Sequence, residues 1–185
     1  MIASVSGRII SKGLDHLVVE AGGIGYLIFT TTDVLTTSSV GGEIRLLTHM
    51  VVREDAQALY GFASPAQLQL FSMLIAVSGV GPRIALAVLS SGKVEELRSA
   101  IGQGDSAIFT AISGIGKKTA ERIILELKSK ITDIADVGLG GSSADIINAL
   151  SGLGYNMYEI REVLGKLSPG AKVEEKLKEA LKLLS

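Results

Sequence analysis

The sequence predicts an α+β protein built from several small domains. Three observations carry this. Five short, β-branched-rich runs crowd into residues 1–64. At Ser64-Pro65 the apolar spacing changes from alternating to helical, and it stays helical thereafter. A glycine turn between two apolar helical stretches occurs twice in the central segment, with its first glycines thirty-five positions apart.

The N-terminal runs cover 3–10, 17–20, 25–29, 43–52 and 58–62, parted by Gly and Asp turns. Five strands in sixty residues suit a small antiparallel barrel, most commonly an OB-fold. Gly22-Gly23-Ile24-Gly25 has no helix after it, so it reads as a turn and not as a dinucleotide loop. OB-folds can stack bases on aromatics along a basic groove. Here Tyr26, Phe29, Tyr60 and Phe62 are spaced like core or interface residues, and Arg8, Lys12, Arg45 and Arg53 are scattered. A scaffold or oligomer interface therefore outweighs base stacking. Glu54 and Asp55, adjacent acids between strands, read on their own as a solvated turn.

Ser64, Pro65 and Gln67 form a helix start, with a serine cap, proline at the first position and glutamine at the third. From residue 65 to 131 the chain reads helical. Leu68, Phe71, Leu74 and Ile75 share one face, and residues 94–101 and 106–112 supply intermediate helices. Ala120, Ile123, Ile124, Leu127 and Ile131 make the stripe of a last long helix, which leaves Lys117, Lys118, Arg122 and Lys128 nearer its polar side.

The repeated turn is the most informative feature. Val77-Ser78-Gly79-Val80-Gly81-Pro82-Arg83-Ile84-Ala85 and Ile112-Ser113-Gly114-Ile115-Gly116-Lys117-Lys118-Thr119-Ala120 share an apolar-Ser-Gly-apolar-Gly pattern, then a basic residue, then alanine. Glycine allows positive φ and close backbone approach. The amides around Gly79, Val80, Gly81 and around Gly114, Ile115, Gly116 fall at helix starts, where N–H groups lack intrahelical partners and the dipole is positive. Such ends bind anions, and Arg83, Lys117, Lys118 and Arg122 add full charges. A single Gly-x-Gly could be a plain αL cap. Two copies with basic followers point to helix-hairpin-helix motifs that grip a phosphate diester, against the plainer reading of two tight hairpins in a core.

Residues 132–143, with Gly138-Leu139-Gly140-Gly141-Ser142-Ser143, read as a flexible linker. Residues 144–185 read as a three-helix bundle. Ser142 to Asp145 fits a capping box before Ile146, Ile147 and Leu150, and Gly152 and Gly154 end that helix. Ile160, Val163 and Leu164 mark the second helix. Val173, Leu177, Ala180, Leu181 and Leu184 mark the third, with Glu174 and Lys178 paired at i,i+4.

Charge follows this division. The chain carries 18 basic and 19 acidic side chains, but residues 65–131 hold eight basic against five acidic, while both flanking segments are net acidic. Distribution matters more than the total for a phosphate-binding surface. So small a surplus predicts weak binding by one copy and useful affinity from several. The absence of cysteine excludes a disulfide framework and thiolate metal sites, and His16 and His49 lie too far apart in sequence to suggest a metal centre. No apolar run reaches membrane length, and the first residues lack signal-peptide regions, so a cytoplasmic protein without cofactor or metal is expected.

Val51-Val52-Arg53-Glu54-Asp55, Leu59-Tyr60-Gly61-Phe62 and Ile115 to Arg122 resemble the RuvA family, the junction-binding subunits of the bacterial RuvAB branch-migration complex. The resemblance runs in order from Met1 to the C-terminal helix and is weakest between Thr132 and Ser143. It implies an OB-fold oligomerisation domain over 1–64, a tandem helix-hairpin-helix DNA-binding domain over 65–131, and a ubiquitin-associated-like RuvB-binding domain over 144–185. It further implies a homotetramer, single or paired, on four-way junction DNA. The partners it implies are the ATPase RuvB, which does the work of branch migration, and the resolvase RuvC. Glu54 and Asp55 match the family's acidic pin, and Leu150, Leu153, Tyr155 and Leu181 match positions that dock RuvB. Arg83 stands where lysine is common in the family, and the charge is kept.

Two alternatives differ in class. One is a general helix-hairpin-helix DNA-binding or adaptor module. The other is a base-excision glycosylase, because Lys118 and Asp136 reproduce that class's eighteen-residue spacing. The glycosylase reading suffers from the Gly-rich surroundings of Asp136, the lack of iron–sulfur cysteines, and too little helix to enclose a flipped base. No nucleophile–base pair or P-loop is present, so the chain alone should not hydrolyse ATP.

Overall fold

The computed structural model describes residues 1–135, 146, 149–155, 157–167 and 173–184. It contains two compact units, Met1–Ile131 and Thr132–Ser185.

The first unit begins with strands β1 (Ser4–Lys12), β2 (His16–Ala21), β3 (Ile24–Thr30), β4 (Glu43–Val52) and β5 (Gln57–Phe62). They close into a barrel in the order β1-β2-β3-β5-β4, antiparallel except for β3 beside β5. Val5, Ile9, Leu17, Val19, Ile28, Leu46 and Leu59 fill its interior. A bulge between Ile9 and Ser11 breaks the β1–β2 register.

Between β3 and β4 lies a helix that the sequence did not suggest, α1 (Thr32–Thr37). It is short and threonine-rich, poor in intrinsic helix formers. Tertiary contacts hold it. Val34 and Leu35 enter the barrel core, the Thr32 amide donates to Ser90 Oγ at 3.1 Å, and Gln67 Nε2 donates to Asp33 Oδ2 at 3.0 Å.

Helix α2 (Pro65–Ile75) starts where the sequence places it, with the Gln67 amide donating to Ser64 Oγ at 3.2 Å. The reciprocal half of the capping box is shifted: Gln67 Oε1 accepts from the Ala63 amide, not from Ser64. Next come α3 (Pro82–Ser90), α4 (Val94–Gln103), α5 (Ala107–Thr110) and α6 (Lys117–Ala135). Helix α5 is one turn, shorter than the expected 106–112. Helix α6 runs four residues into the expected linker, so 132–135 are helical; the rest of that linker and the 142–145 capping box lie outside the described residues.

Strand β5 joins barrel to helices because both of its faces are buried. Leu59 points into the barrel, and a Cβ on Gly61 would collide there with Ile28 and Leu46. Tyr60 and Phe62 point the other way, into the core of the helical layer. There Phe71 of α2, fully buried, stacks on Tyr60 (centroids 5.3 Å), lies 4.8 Å from Phe62 and meets His49 edge-on at 5.5 Å. Phe29 stacks on the far side of Tyr60 at 5.6 Å. The barrel aromatics are thus packing residues, as their spacing suggested.

In the second unit, helical residues at 146 and 149–152 precede α7 (Met157–Leu164) and α8 (Val173–Leu184). Ile146, Leu150, Ile160, Val163 and Ala180 form its core. Gly154, at φ +95°, ends the first helical stretch: its amide donates to Ser151 O and that of Tyr155 to Leu150 O. These two bonds are the Schellman pair. Glu174 and Lys178 do not pair among the described residues; Lys166 instead bonds Glu162 at 2.8 Å and holds that exposed carboxyl below its ordinary pKa.

Phe71→Ala is expected to cost about 3–5 kcal/mol, as for other fully buried aromatics. A urea titration followed by circular dichroism measures it, and a midpoint near wild type would contradict the central placement of this ring.

Candidate nucleic-acid interface

The two glycine turns have the same backbone. In the first, the Val80 amide donates to Val77 O at 3.0 Å and the Ala85 amide to Gly81 O at 2.9 Å. In the second, Ile115 donates to Ile112 O at 3.1 Å and Ala120 to Gly116 O at 3.0 Å. Gly79 and Gly114 have φ of +88° and +90° at the third turn position, where a type II turn demands positive φ. Each turn feeds directly into a helix, α3 or α6. Ala85 and Ala120 are the first helix residues whose amides pair back to the turn, so the main-chain donors between them and Val80 or Ile115 lack an intrahelical partner.

Side-chain burial decides which part of each turn is exposed. Val80 and Ile115 are buried to 5% exposure, and Ala85 and Ala120 have none. These four pull one side of each turn into the core. Gly79, Gly114 and Gly116 stay exposed, with Gly81 half-buried. Val80 and Ile115, expected among the DNA-binding residues, thus have buried side chains and amides already bonded within the turn, so they act as plugs and not as donors to a nucleic acid. Arg83, Lys117, Lys118 and Arg122 are all exposed. Lys117 reaches Glu121 only at 4.0 Å, a surface pair of little consequence.

The turns also lie side by side. Arg122 Nη1 of α6 donates to Ser78 O in the first turn at 3.1 Å, and a Cβ on Gly79 would sit 4.0 Å from the same nitrogen. Reciprocally, a Cβ on Gly114 would lie 4.0 Å from Ile84 of α3. Each turn thus rests against the helix that follows the other. Arg122, expected as a phosphate ligand, spends one of its donors bracing the first hairpin, a role no local pattern reveals. Two exposed glycine turns flanked by cations can bind two phosphates.

Three descriptions of known families match the chain: the RuvA N-terminal domain over residues 1–61, a SAM-like helix-hairpin-helix tandem over 71–130, and the RuvA C-terminal domain over 142–185. Curated relatives extend the match to full length. The chain is 46% identical over 191 residues to the Holliday junction branch migration complex subunit RuvA of Chloroflexus aggregans, covering 98% of this chain and 97% of that protein. It is 43% identical to the Roseiflexus castenholzii subunit of the same description, with 98% of each chain covered. It is 42% identical to that of Mycobacterium sp. (strain KMS), covering 100% of this chain and 98% of the relative.

The chain belongs to the RuvA family.

Other positions implied by the family resemblance fall as follows. Glu54 and Asp55 are exposed at the tip of the β4–β5 connection, closed by the Arg53 amide donating to Ala56 O at 2.8 Å. In the RuvA C-terminal segment, Leu153 is 62% exposed and Tyr155 and Leu181 half-buried, whereas Leu150 is fully buried in the core. Asp136, the second residue of the glycosylase comparison, lies outside the described residues. No helix among the described residues is long and apolar enough to cross a membrane.

Gly114→Ala has room for its methyl group, so its penalty is the positive φ alone, about 1–2 kcal/mol. A thermal melt checks it; an unshifted Tm would mean the turn tolerates another backbone.

Proposed function

We propose that this chain binds four-way junction DNA by shape rather than sequence, as a non-catalytic subunit of a branch-migration complex. The observation that carries the reading is the pair of matching, exposed glycine turns, set side by side with cations at their flanks. Contacts from such turns go to phosphates, which position a duplex and carry no base information. Specificity then comes from arranging several copies about the crossover.

In this reading the barrel assembles the chain into a homotetramer, alone or paired face to face, and each copy holds one duplex arm. Glu54 and Asp55 of the four copies gather at the centre, where their charge repels phosphates and keeps the strands apart. Residues 144–185 recruit a separate ATPase, RuvB, with Leu153, Tyr155 and Leu181 offering surface and Leu150 supporting them from the core. RuvC meets the same junction, and the setting is the cytoplasm. The relatives' shared description, a subunit of a Holliday junction branch migration complex, supports this assignment.

Competition between a labelled four-way junction and excess linear duplex tests the substrate. Strong preference for the junction is expected; equal affinity would instead favour a general DNA-binding module. Lys117→Ala with Lys118→Ala should weaken junction binding and lower the slope of log K against log salt by about 0.9 per lost phosphate contact. An unchanged slope would remove these lysines from the interface. Deleting residues 144–185 should leave junction binding intact and abolish stimulation of RuvB, measured as ATP hydrolysis with both proteins present.

A further inference from the structure

We propose that Arg122 is a positioning residue for the first hairpin, and that the two hairpins are unequal: the first is set for a phosphate before DNA arrives, and the second is set by binding. The inference rests on the phosphate-binding reading of the turns given above.

A glycine at the third turn position permits the turn without fixing it. Type I and type II turns differ by a flip of the central peptide, and glycine accepts the third-position angles of both. The flip exchanges the directions of a carbonyl and an amide. These are Ser78 O and Gly79 N–H in the first hairpin, and Ser113 O and Gly114 N–H in the second. Both turns hold the type II form, with φ of +88° at Gly79 and +90° at Gly114. What keeps them there differs.

In the first hairpin, Ser78 O accepts from Arg122 Nη1 at 3.1 Å. The donor is fully charged and comes from a residue forty-four positions further on, so the bond opposes the flip from outside the turn. In the second hairpin, Ser113 O accepts no hydrogen bond among the described residues. The neighbour there is Ile84, whose Cγ1 would lie 4.0 Å from a Cβ on Gly114, and a methylene cannot orient a peptide. The repeat accounts for the difference. Arg122 stands eight residues after Gly114, and the same offset from Gly79 falls on Ala87, which has no side-chain donor to return.

A flip exchanges donor for acceptor along the turn and so changes what a phosphate meets. A turn already locked binds without first being ordered, whereas an unlocked one gives up conformational freedom on binding. Arg122 thus acts on DNA through the Ser78–Gly79 peptide as well as through its charge.

The test uses full-length wild type, Arg122→Met and Arg122→Lys. Nitrogen-15 relaxation dispersion on the free, deuterated protein detects peptide flips on the microsecond to millisecond scale. In wild type, Gly114 should show exchange and Gly79 none. Arg122→Met should bring Gly79 to the level of Gly114, while Gly114 itself stays unchanged. Arg122→Lys keeps the charge on a side chain one bond shorter. It should retain the salt slope of junction binding, show exchange at Gly79 and bind about fivefold more weakly, the worth of one such hydrogen bond. If Gly79 stays quiet in both variants, or both glycines behave alike in wild type, the proposal is overturned. Exchange at Gly79 with wild-type affinity in Arg122→Lys would also overturn it, because the peptide's orientation would then not matter to binding. So would a rise at both glycines, which assigns the effect to the fold as a whole. A wild type that binds neither junction nor duplex defeats the reading beneath the proposal instead, and the dispersion result, obtained without DNA, does not depend on it.

Discussion

The first unit depends on β5 being buried on both faces. Most strands of a small barrel have one dry face and one wet one. Here Leu59 and the space beside Gly61 belong to the barrel, while Tyr60 and Phe62 belong to the helices. From Leu59 to Phe62 the residues therefore alternate between two cores and not between core and water. Any rotation of the helical layer against the barrel would break the stack of Phe29, Tyr60 and Phe71, so the two layers move as one body. That rigidity lets a barrel residue such as Arg53 and a hairpin residue such as Arg83 keep a fixed relation.

The glycine hairpins apply the same economy on a smaller scale. Within five residues each one supplies a plug for the core, Val80 or Ile115, and a set of outward amides. The plug holds the turn down and the positive φ at Gly79 or Gly114 turns the chain back, so the following helix begins at the surface. Exposed main chain and core packing are thus one construction in each turn. The two turns also brace each other's helices, with Arg122 reaching the first turn and Ile84 approaching the second, contacts made from non-equivalent positions of the repeat. A modest positive charge suffices if assembly, not individual affinity, selects the DNA.

Much of this was legible because it is local. Strand boundaries followed β-branched runs and turn glycines, and all five strands lie within a few residues of where alternation puts them. The start of α2 followed from Ser64 and Pro65. The exceptions share a cause. Helix α1 has poor intrinsic propensity and forms because Val34 and Leu35 find the barrel core while Ser90 and Gln67 anchor its first turn. Gln67 abandons the usual capping partner in part because Asp33 holds the other end of its amide. In the second unit, the expected Glu174–Lys178 pair does not form among the described residues, since helical spacing permits such exposed pairs without requiring them.

By itself the sequence determined most of the element types, the doubled glycine turn and the concentration of positive charge in the central segment. The elements and each turn are written within a dozen residues, where backbone preference and periodicity act, and the charge count needs no structure. Only the tertiary structure decided that the turns lie side by side, that Arg122 braces one of them, and that Arg53 faces the same cavity as Arg83. Those relations join residues thirty or more positions apart, and they are fixed by how two cores share one strand, which no local pattern encodes.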